Sequence, residues 1–238
     1  TMNILIGCDP EVFLRDRKTG EFVSAAGFFP GTKSEPFKVD CGAIQVDGTA
    51  LEFNITPADT ETDFFNNVRT VYTQMEKMVH EVNNNWIIDA TPVATYSDPI
   101  WSSIDESAKI LGCDPDYRSS DGRVNSNPIE KLKDLPVRTG SGHIHIGWSK
   151  NENPHAPEHF EDARFIAHGF YSNRVFAAKT NDEERRLQYY GHNGSFRPKS
   201  YGVELRMPSN LWLKSERLIR GTFAKTRQTF DQLANASR

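Results

Sequence analysis

The chain has 238 residues, a formal net charge of −4, 37% hydrophobic residues and 25% charged residues. This length can bury a sizeable core, and we expect one domain spanning residues 2–238. The mild acidity and the lack of a basic run argue against a nucleic-acid-binding protein or a membrane-surface binder. No apolar segment of the sequence approaches the roughly 20 residues that a membrane-spanning helix needs.

The cysteines and the first residues of the sequence bear on the cellular location of the protein. Cys8, Cys41 and Cys113 are odd in number and are not spaced like a zinc knuckle, so we interpret them as reduced thiols. The stretch Met2–Gly7 is too short and too quickly polar for a signal peptide. We therefore expect a cytoplasmic protein.

Short apolar strands separated by turns are predicted for the first quarter of the chain. The Asp47-Gly48 pair is among the strongest short hairpin signals, and a second turn is predicted at Lys18-Thr19-Gly20. Residues 27–38, rich in Gly, Pro and Lys, are predicted to form a loop. The predicted strands are Asn3–Cys8, Glu11–Arg15, Glu21–Val23, Ile44–Val46 and Ala50–Asn54.

The apolar period changes to that of a helix after Thr60, which predicts a helix over Thr60–Val82. Two more helices are predicted over Pro157–Ala178 and Glu216–Leu233, and two more strands over Trp86–Ala94 and His143–Trp148. Residues 111–127 are predicted to form a long loop. Strands joined partly by hairpins, with helices between them, indicate an α+β fold with a largely antiparallel sheet covered on one face.

Residues 195–210 are the most informative segment. In a strand, Val203, Leu205 and Met207 would share one face, and Glu204 and Arg206 the other. Arg197 and Lys199 are expected in the loop before this strand. A carboxylate can hold a hard cation, and neighbouring Arg and Lys side chains can hold the anion that accompanies it, which predicts a magnesium–phosphate site. The alternative is a surface ion pair worth about 0–1 kcal/mol.

Carboxylates on two other predicted strands offer matching ligands. Asp9 and Glu11 can ligate a divalent cation together, although an N-cap followed by proline is an equal alternative. Asp47 is better explained as a turn residue than as a metal ligand. Glu52 lies between two apolar residues, and we expect it to face solvent or to pair with a cation, because an unpaired buried carboxylate costs several kcal/mol.

His143 and His145 share one face of a predicted strand. They can bind zinc, contact a nucleotide phosphate or a magnesium-bound water, or be ordinary hydrogen-bonded histidines. Because the other candidate ligands are carboxylates, Mg²⁺ or Mn²⁺ with a nucleoside triphosphate is favoured over zinc. The sequence contains neither a P-loop nor a dinucleotide-binding glycine motif.

Four segments together carry a family resemblance. They are GCDPEVFL at Gly7–Leu14, VDGTALEFN at Val46–Asn54, GHIHIG at Gly142–Gly147 and FRPKSYGVELRMPS at Phe196–Ser209. In this order they resemble the phage-type carboxylate–amine ligases, which are predicted amidoligases of the glutamine-synthetase-like superfamily, over residues 2–212. The resemblance implies a curved antiparallel sheet with helices on its convex face and two or three Mg²⁺ ions with ATP on its concave face.

The resemblance also implies roles for individual residues. His143 or His145 would contact ATP, and Arg206 would contact the transferred phosphate. The implied metal ligands are Asp9, Glu11, Glu52 and Glu204. The implied cofactor-binding residues are His143, His145, Arg197, Lys199 and Arg206, and the implied catalytic residues are Arg206, Arg197 and Glu52.

The implied activity is ATP- and Mg²⁺-dependent amide formation through an acyl phosphate, in the host cytoplasm if the chain is phage-encoded. Its substrates would be small-molecule or peptide carboxylates and amines, with no nucleic acid or membrane partner. A guanidino or amine kinase on the same fold, and a non-catalytic binding or structural protein, are the alternatives. We expect the loop 111–127 to border the acceptor site, and its candidate contact residues are Asp114, Asp116, Tyr117, Arg118 and Arg123.

Overall fold

Short strands and longer helices follow one another in the computed structural model, which describes residues 2–112, 114–126, 131–150 and 153–236. The strands of these ranges are β1 (Leu5–Cys8), β2 (Glu11–Asp16), β3 (Phe22–Val23), β4 (Phe37–Val39), β5 (Gly42–Asp47), β6 (Ala50–Ile55), β7 (Trp86–Asp89), β8 (Val93–Thr95), β9 (Val137–Thr139), β10 (Ile144–Gly147), β11 (Phe196–Lys199) and β12 (Gly202–Leu205). The α-helices are α1 (Glu61–Val82), α2 (Asp98–Ser103), α3 (Pro157–Ser172), α4 (Asn181–Leu187) and α5 (Glu216–Asn235).

Two larger sheets form the frame of the molecule. One has the strand order β1-β10-β12-β11, and the other has the order β3-β2-β6-β5-β4 with β7 also paired to β2. Strands β8 and β9 form a separate pair. The strand pairs seen in the described ranges are antiparallel. Together the strands form a curled antiparallel sheet, a half-barrel, which we call the curled sheet. The predictions of an α+β fold and of a curved, largely antiparallel sheet are confirmed.

The main hydrophobic core lies between the sheets and the long helices. It joins Ile144 and Leu205 of the first sheet, Leu51 of the second, Met75 of α1 and Phe223 of α5 in one cluster. The side chains that alternate with these core residues point to the opposite face of the curled sheet. Among the described residues, no helix is both long and apolar enough to cross a membrane.

Several predicted elements are confirmed. Thr60 caps α1 by accepting a hydrogen bond from the Asp63 amide, and α1 ends at Val82 as expected. The β2–β3 and β5–β6 hairpins also form. The second hairpin turns at Gly48-Thr49, one residue later than expected, because Asp47 still pairs with Ala50 at the end of β5.

Two predicted boundaries are wrong. The expected strand Trp86–Ala94 is divided into β7 and β8, which pair with different partners, β2 and β9, and Pro92 lies at the change of direction. Helix α3 ends at Ser172 rather than Ala178. Arg174 there has φ of +55°, a left-handed conformation that is incompatible with a continuing helix.

The position of Arg197 and Lys199 is also corrected. They were expected in a loop, but they belong to β11, which pairs with β12 along its whole length. Pro198 between them lacks a backbone N–H, which argues against a central strand. Because β11 lies at the edge of its sheet, this strand tolerates the proline.

Candidate active site

The curled sheet borders a cavity of about 1180 Å³. Strands from both larger sheets line it, so residues far apart in sequence meet there. The site residues expected from the sequence all line this cavity: Asp9, Glu11, Glu52, His143, His145, Arg197, Lys199, Glu204 and Arg206. The structure therefore brings the whole predicted set together.

The register of the first sheet aligns one row of polar side chains. His145 of β10 lies opposite Glu204 of β12, which lies opposite Arg197 of β11. Directly opposed residues in antiparallel strands project to the same face, so the row points into the cavity. The neighbouring Ile144 and Ile146 point the other way and are fully buried in the core.

The second sheet supplies an equivalent row of polar side chains. Glu11 of β2 lies opposite Glu52 of β6, which lies opposite Gln45 of β5. The Gln45 amide Nε2 donates a hydrogen bond of 2.7 Å to Glu52 Oε2, and the Ser141 backbone N–H donates one of 3.1 Å to Glu11 Oε1. Asp47 follows two residues after Gln45 and projects to the same face. The acid-rich row therefore depends on strand register as much as on residue type.

Glu204 is a buried carboxylate that is surrounded by cationic groups. Its Oε1 lies 2.6 Å from Arg206 Nη1 and 3.1 Å from His143 Nδ1, and its Oε2 lies 3.8 Å from Arg197 and 3.9 Å from Lys199. Burial opposes the ionisation of Glu204 and also lowers the His143 pKa, but the hydrogen bond from His143 and the charge of Arg206 hold the Glu204 pKa well below its ordinary value. Its negative charge is already compensated within the protein.

Arg206 and His145 are both fixed by second partners. Arg206 Nε donates a hydrogen bond of 2.9 Å to Asp116 Oδ2. His145 Nε2 lies 2.9 Å from Asp9 Oδ1, and its Nδ1 is hydrogen-bonded to the Tyr201 hydroxyl. Burial disfavours the charged imidazole, but the Asp9 carboxylate outweighs it and raises the His145 pKa. The guanidinium and the imidazole therefore have defined orientations in the cavity.

Glu11, Asp47 and Glu52 form what we call the acidic cluster, in which one oxygen of each residue lies within 4.8 Å of the others. Burial, followed by the Asp47 charge, raises the Glu11 pKa well above its ordinary value. Burial also raises the Glu52 pKa, with further contributions from Asp9 and Glu11. In the part of the chain that the structure describes, none of the three carboxylates has an ion pair with Lys, Arg or His.

The acidic cluster is the better of two candidate cation sites. Asp9, His145 and Glu204 also offer ligand atoms within 4.8 Å of one another, but the Glu204 charge is already balanced. The acidic cluster has excess negative charge and carboxylate oxygens, which suits Mg²⁺ or Mn²⁺ better than zinc. Asp47 belongs to this cluster rather than to the turn that the sequence indicated. Glu52 is half-buried and faces the cavity, and among the described residues it has no cationic partner.

Sequence reasoning missed Arg186, which supports both halves of the site. Its guanidinium is 1% exposed and donates hydrogen bonds to Ser141 Oγ at 2.8 Å, to the Met207 carbonyl at 2.8 Å and to the Arg206 carbonyl at 3.0 Å. Burial lowers the Arg186 pKa to about 10. A capping box, Thr180-x-x-Glu183, precedes Arg186 on α4 and was the available sequence signal.

The long loop borders the cavity, but only some of the expected residues line it. Leu111 and Asp114 line it, whereas Tyr117 packs edge-on against Phe160 and Arg118 pairs with Asp121. The expectation for Tyr117 and Arg118 is therefore wrong, because neither side chain lines the cavity. Cys113 and Asn127, which belong to the same predicted loop, lie outside the described residues.

Comparison of the chain with protein-family models and with curated proteins finds no match. The functional interpretation therefore depends on the cavity and its residues.

Proposed function

We propose that the protein is an ATP-dependent carboxylate–amine ligase with a glutamine-synthetase-like catalytic fold and a requirement for Mg²⁺ or Mn²⁺. The observation that carries the proposal is the composition of one cavity. It holds three uncompensated carboxylates of the acidic cluster beside the cationic side chains of Arg197, Lys199 and Arg206. A magnesium–triphosphate complex needs this combination of anionic and cationic groups.

Glu11, Asp47 and Glu52 would hold the metal ion, and Asp9, His145 and Glu204 are a second ligand set. The bound ion would neutralise phosphate charge during transfer. Burial, followed by repulsion between carboxylates, raises the pKa of Glu11 and Glu52, and the bound ion would favour their charged forms.

Amide formation from a free carboxylate needs activation, because the leaving group would otherwise be oxide. In the proposed reaction, a carboxylate oxygen attacks the γ-phosphorus of ATP, ADP leaves, and an acyl phosphate forms. The amine then attacks the acyl carbon, the new C–N bond replaces the C–O bond to phosphate, and inorganic phosphate is released.

The protein side chains would contribute mainly positioning and charge neutralisation. Arg206 is oriented in advance by Asp116 and Glu204, so it can stabilise developing charge on the transferred phosphoryl group without rearranging. Arg197 and Lys199 would neutralise the remaining phosphate oxygens from the neighbouring strand.

The proposal is tested by incubating the protein with ATP, Mg²⁺ and mixtures of carboxylic acids and amines, followed by mass spectrometry. An amide product formed together with ADP and inorganic phosphate is the expected result. A stable phosphoramidate without joining of two substrates would identify an amine kinase instead. A chain that binds neither Mg²⁺ nor nucleotide would be a non-catalytic protein.

A further inference from the structure

One wall of the cavity differs in chemistry from the polar rows. It comprises Ala108, Ile110, Leu111, Leu132 and the ring of Tyr190, and we refer to these five residues as the apolar wall. Leu111, Leu132 and Tyr190 belong to a small hydrophobic cluster built on β8 and β9, separate from the main core. These three residues are therefore supported from behind by packed side chains, while Ala108 packs in a second small cluster and Ile110 is exposed.

The apolar wall adjoins the acidic cluster. The β5–β6 turn that follows Asp47 lies against the wall, since a Cβ atom added at Gly48 would be 3.1 Å from the Ala108 carbonyl oxygen. From the other side, the Tyr190 hydroxyl is near enough to Glu11 and Asp47 for their charges to act on it. A molecule whose reacting group lies at the acidic cluster would therefore extend along this wall.

The cationic groups close to the apolar wall already have partners. The Arg138 guanidinium donates hydrogen bonds to four backbone carbonyls, those of Leu132, Leu135, Val137 and Lys109. It also lies over the Trp101 ring, 4.8 Å from its centroid. At the rim, Lys33 is paired with Asp114. Carbonyl oxygens are neutral, so Arg138 keeps its charge, but a second anionic group of a substrate would have to compete with four backbone carbonyls for its N–H donors.

Tyr190 supplies the one hydroxyl of the apolar wall. Its ring is half-buried, and its backbone N–H is fixed by a hydrogen bond of 3.1 Å to the Arg186 carbonyl. Among the described residues, its hydroxyl has no hydrogen-bond partner, so the donor is free for a ligand. Tyr189, its neighbour, packs on the same hydrophobic cluster but does not line the cavity.

We propose that the acid substrate carries an uncharged aliphatic or aromatic substituent, which binds to the apolar wall while the Tyr190 hydroxyl donates a hydrogen bond to the reacting carboxylate. The inference rests on the proposed ligase function. A second carboxylate or an ammonium group on the substrate would be transferred from water to the hydrocarbon of this wall, which disfavours binding.

Hydroxylamine allows the test without knowledge of the natural amine. An acid activated as its acyl phosphate is attacked by the hydroxylamine nitrogen, phosphate leaves, and a hydroxamate accumulates. The probes are hexanoate and phenylpropanoate, compared with the charged-end acids adipate and aminohexanoate. We expect kcat/KM for hydroxamate formation to be at least tenfold higher for the two apolar acids.

Variants of the wall sharpen the test. Tyr190→Phe should lower kcat/KM for hexanoate about tenfold and leave magnesium-dependent nucleotide binding unchanged, and the matched control Tyr189→Phe should change neither. Leu111→Lys places a cation on the half-exposed part of the wall and should shift the preference toward adipate about tenfold. Binding of the same four acids to the wild-type protein and to these variants is measured by calorimetry in the presence of Mg²⁺ and a non-hydrolysable ATP analogue.

Equal or better use or binding of adipate or aminohexanoate by the wild-type protein would overturn the inference, as would a Tyr190→Phe variant that matches Tyr189→Phe. These results would leave the magnesium-dependent binding of nucleotide intact. Loss of that nucleotide binding in the wild-type protein would instead contradict the proposed ligase function.

Discussion

At the scale of single residues, two glutamates of the cavity have opposite electrostatic environments. Glu204 is buried among cations that keep it ionised. Glu52 lies beside other carboxylates, and the donor that it has among the described residues is the neutral Gln45 amide. The first arrangement is stable as it stands. The second is unfavourable until a cation binds, which is typical of a functional site that reduces the stability of the fold.

The first prediction concerns the substitution Glu52→Gln. It keeps the shape and the hydrogen bond to Gln45 but removes a repelled charge. Without metal, the variant should melt about 2–4 °C above the wild-type protein, as a gain near 1 kcal/mol produces in a chain of this size. It should also lose the increase in Tm that Mg²⁺ gives the wild-type protein, as measured by differential scanning calorimetry.

The exposed Glu76 of α1 provides the control for this experiment. Glu76→Gln removes the same charge from the outer surface and should alter neither the Tm nor the response to Mg²⁺. A Glu52→Gln variant that melts well below the wild-type protein would mean that this carboxylate stabilises the fold. That result would contradict its proposed role as a cation ligand.

The second prediction is a pH dependence. Because the folded-state pKa of Glu52 is raised, its contribution to stability is full below the ordinary carboxyl pKa and is lost as the pH rises through the raised value. The Tm advantage of Glu52→Gln over the wild-type protein should therefore be absent near pH 4 and grow toward neutral pH. Saturating Mg²⁺ should abolish the pH-dependent part of this Tm difference. A Tm difference that is constant with pH would contradict this interpretation.

The third prediction concerns Arg206→Lys. A lysine keeps one positive charge but cannot bridge Glu204 and Asp116 as the planar guanidinium does. We expect magnesium-dependent nucleotide binding within a few-fold of wild type and turnover lowered about 100-fold, because charge stabilisation in the transition state is lost. Single-turnover measurements of ADP formation separate these effects. Equal losses in binding and turnover would assign Arg206 to ground-state binding.

At the scale of elements, the short helix α4 has a role in the site that the long helix α1 lacks. Helix α4 holds Arg186, whose guanidinium donates hydrogen bonds to the Ser141 hydroxyl and to the Met207 carbonyl, and the chain continues from it to Tyr190. Helix α1 instead covers the core face of the second sheet. The two helices begin with the same cap, a threonine hydroxyl that accepts a hydrogen bond of 3.1 Å from the amide three residues later.

The fourth prediction uses this matched pair of caps. Thr60→Ala and Thr180→Ala should each cost about 1 kcal/mol of stability or helix order. The turnover of Thr60→Ala should stay near wild type, whereas Thr180→Ala should lower turnover several-fold because Arg186 and Tyr190 lose their support. Denaturant titration and steady-state kinetics at a temperature where both variants are folded give the comparison. Equal kinetics in the two variants would exclude a positioning role for α4.

At the scale of the whole molecule, the sequence predicted which residues belong together better than how they are arranged. Alternation along the predicted strands placed the histidines, Glu204 and Arg206 on polar faces, and the helical period located α1. Register between strands is set by long-range pairing, so the row that unites Glu11 with Glu52 could not be read from either strand alone. The same pairing places Asp47 at a strand end instead of in the turn.

Arg186 illustrates the other limit of sequence analysis. A buried arginine bonded to backbone carbonyls leaves no periodic signal, and its seven-residue helix is too short for one. Only the capping box indicated that a helix begins there. The residues that support the polar rows through contacts outside the strands could therefore be identified only in the folded structure.

The most direct test of the central claim is a calorimetric titration with a non-hydrolysable ATP analogue, with and without Mg²⁺. The cavity composition predicts binding that requires Mg²⁺, is weakened at least tenfold by Glu52→Gln and is unaffected by Glu76→Gln. Equal binding in the presence of a chelator, or no binding at millimolar nucleotide with Mg²⁺ present, would contradict the proposal that the acidic cluster and the neighbouring cations form a magnesium–triphosphate site.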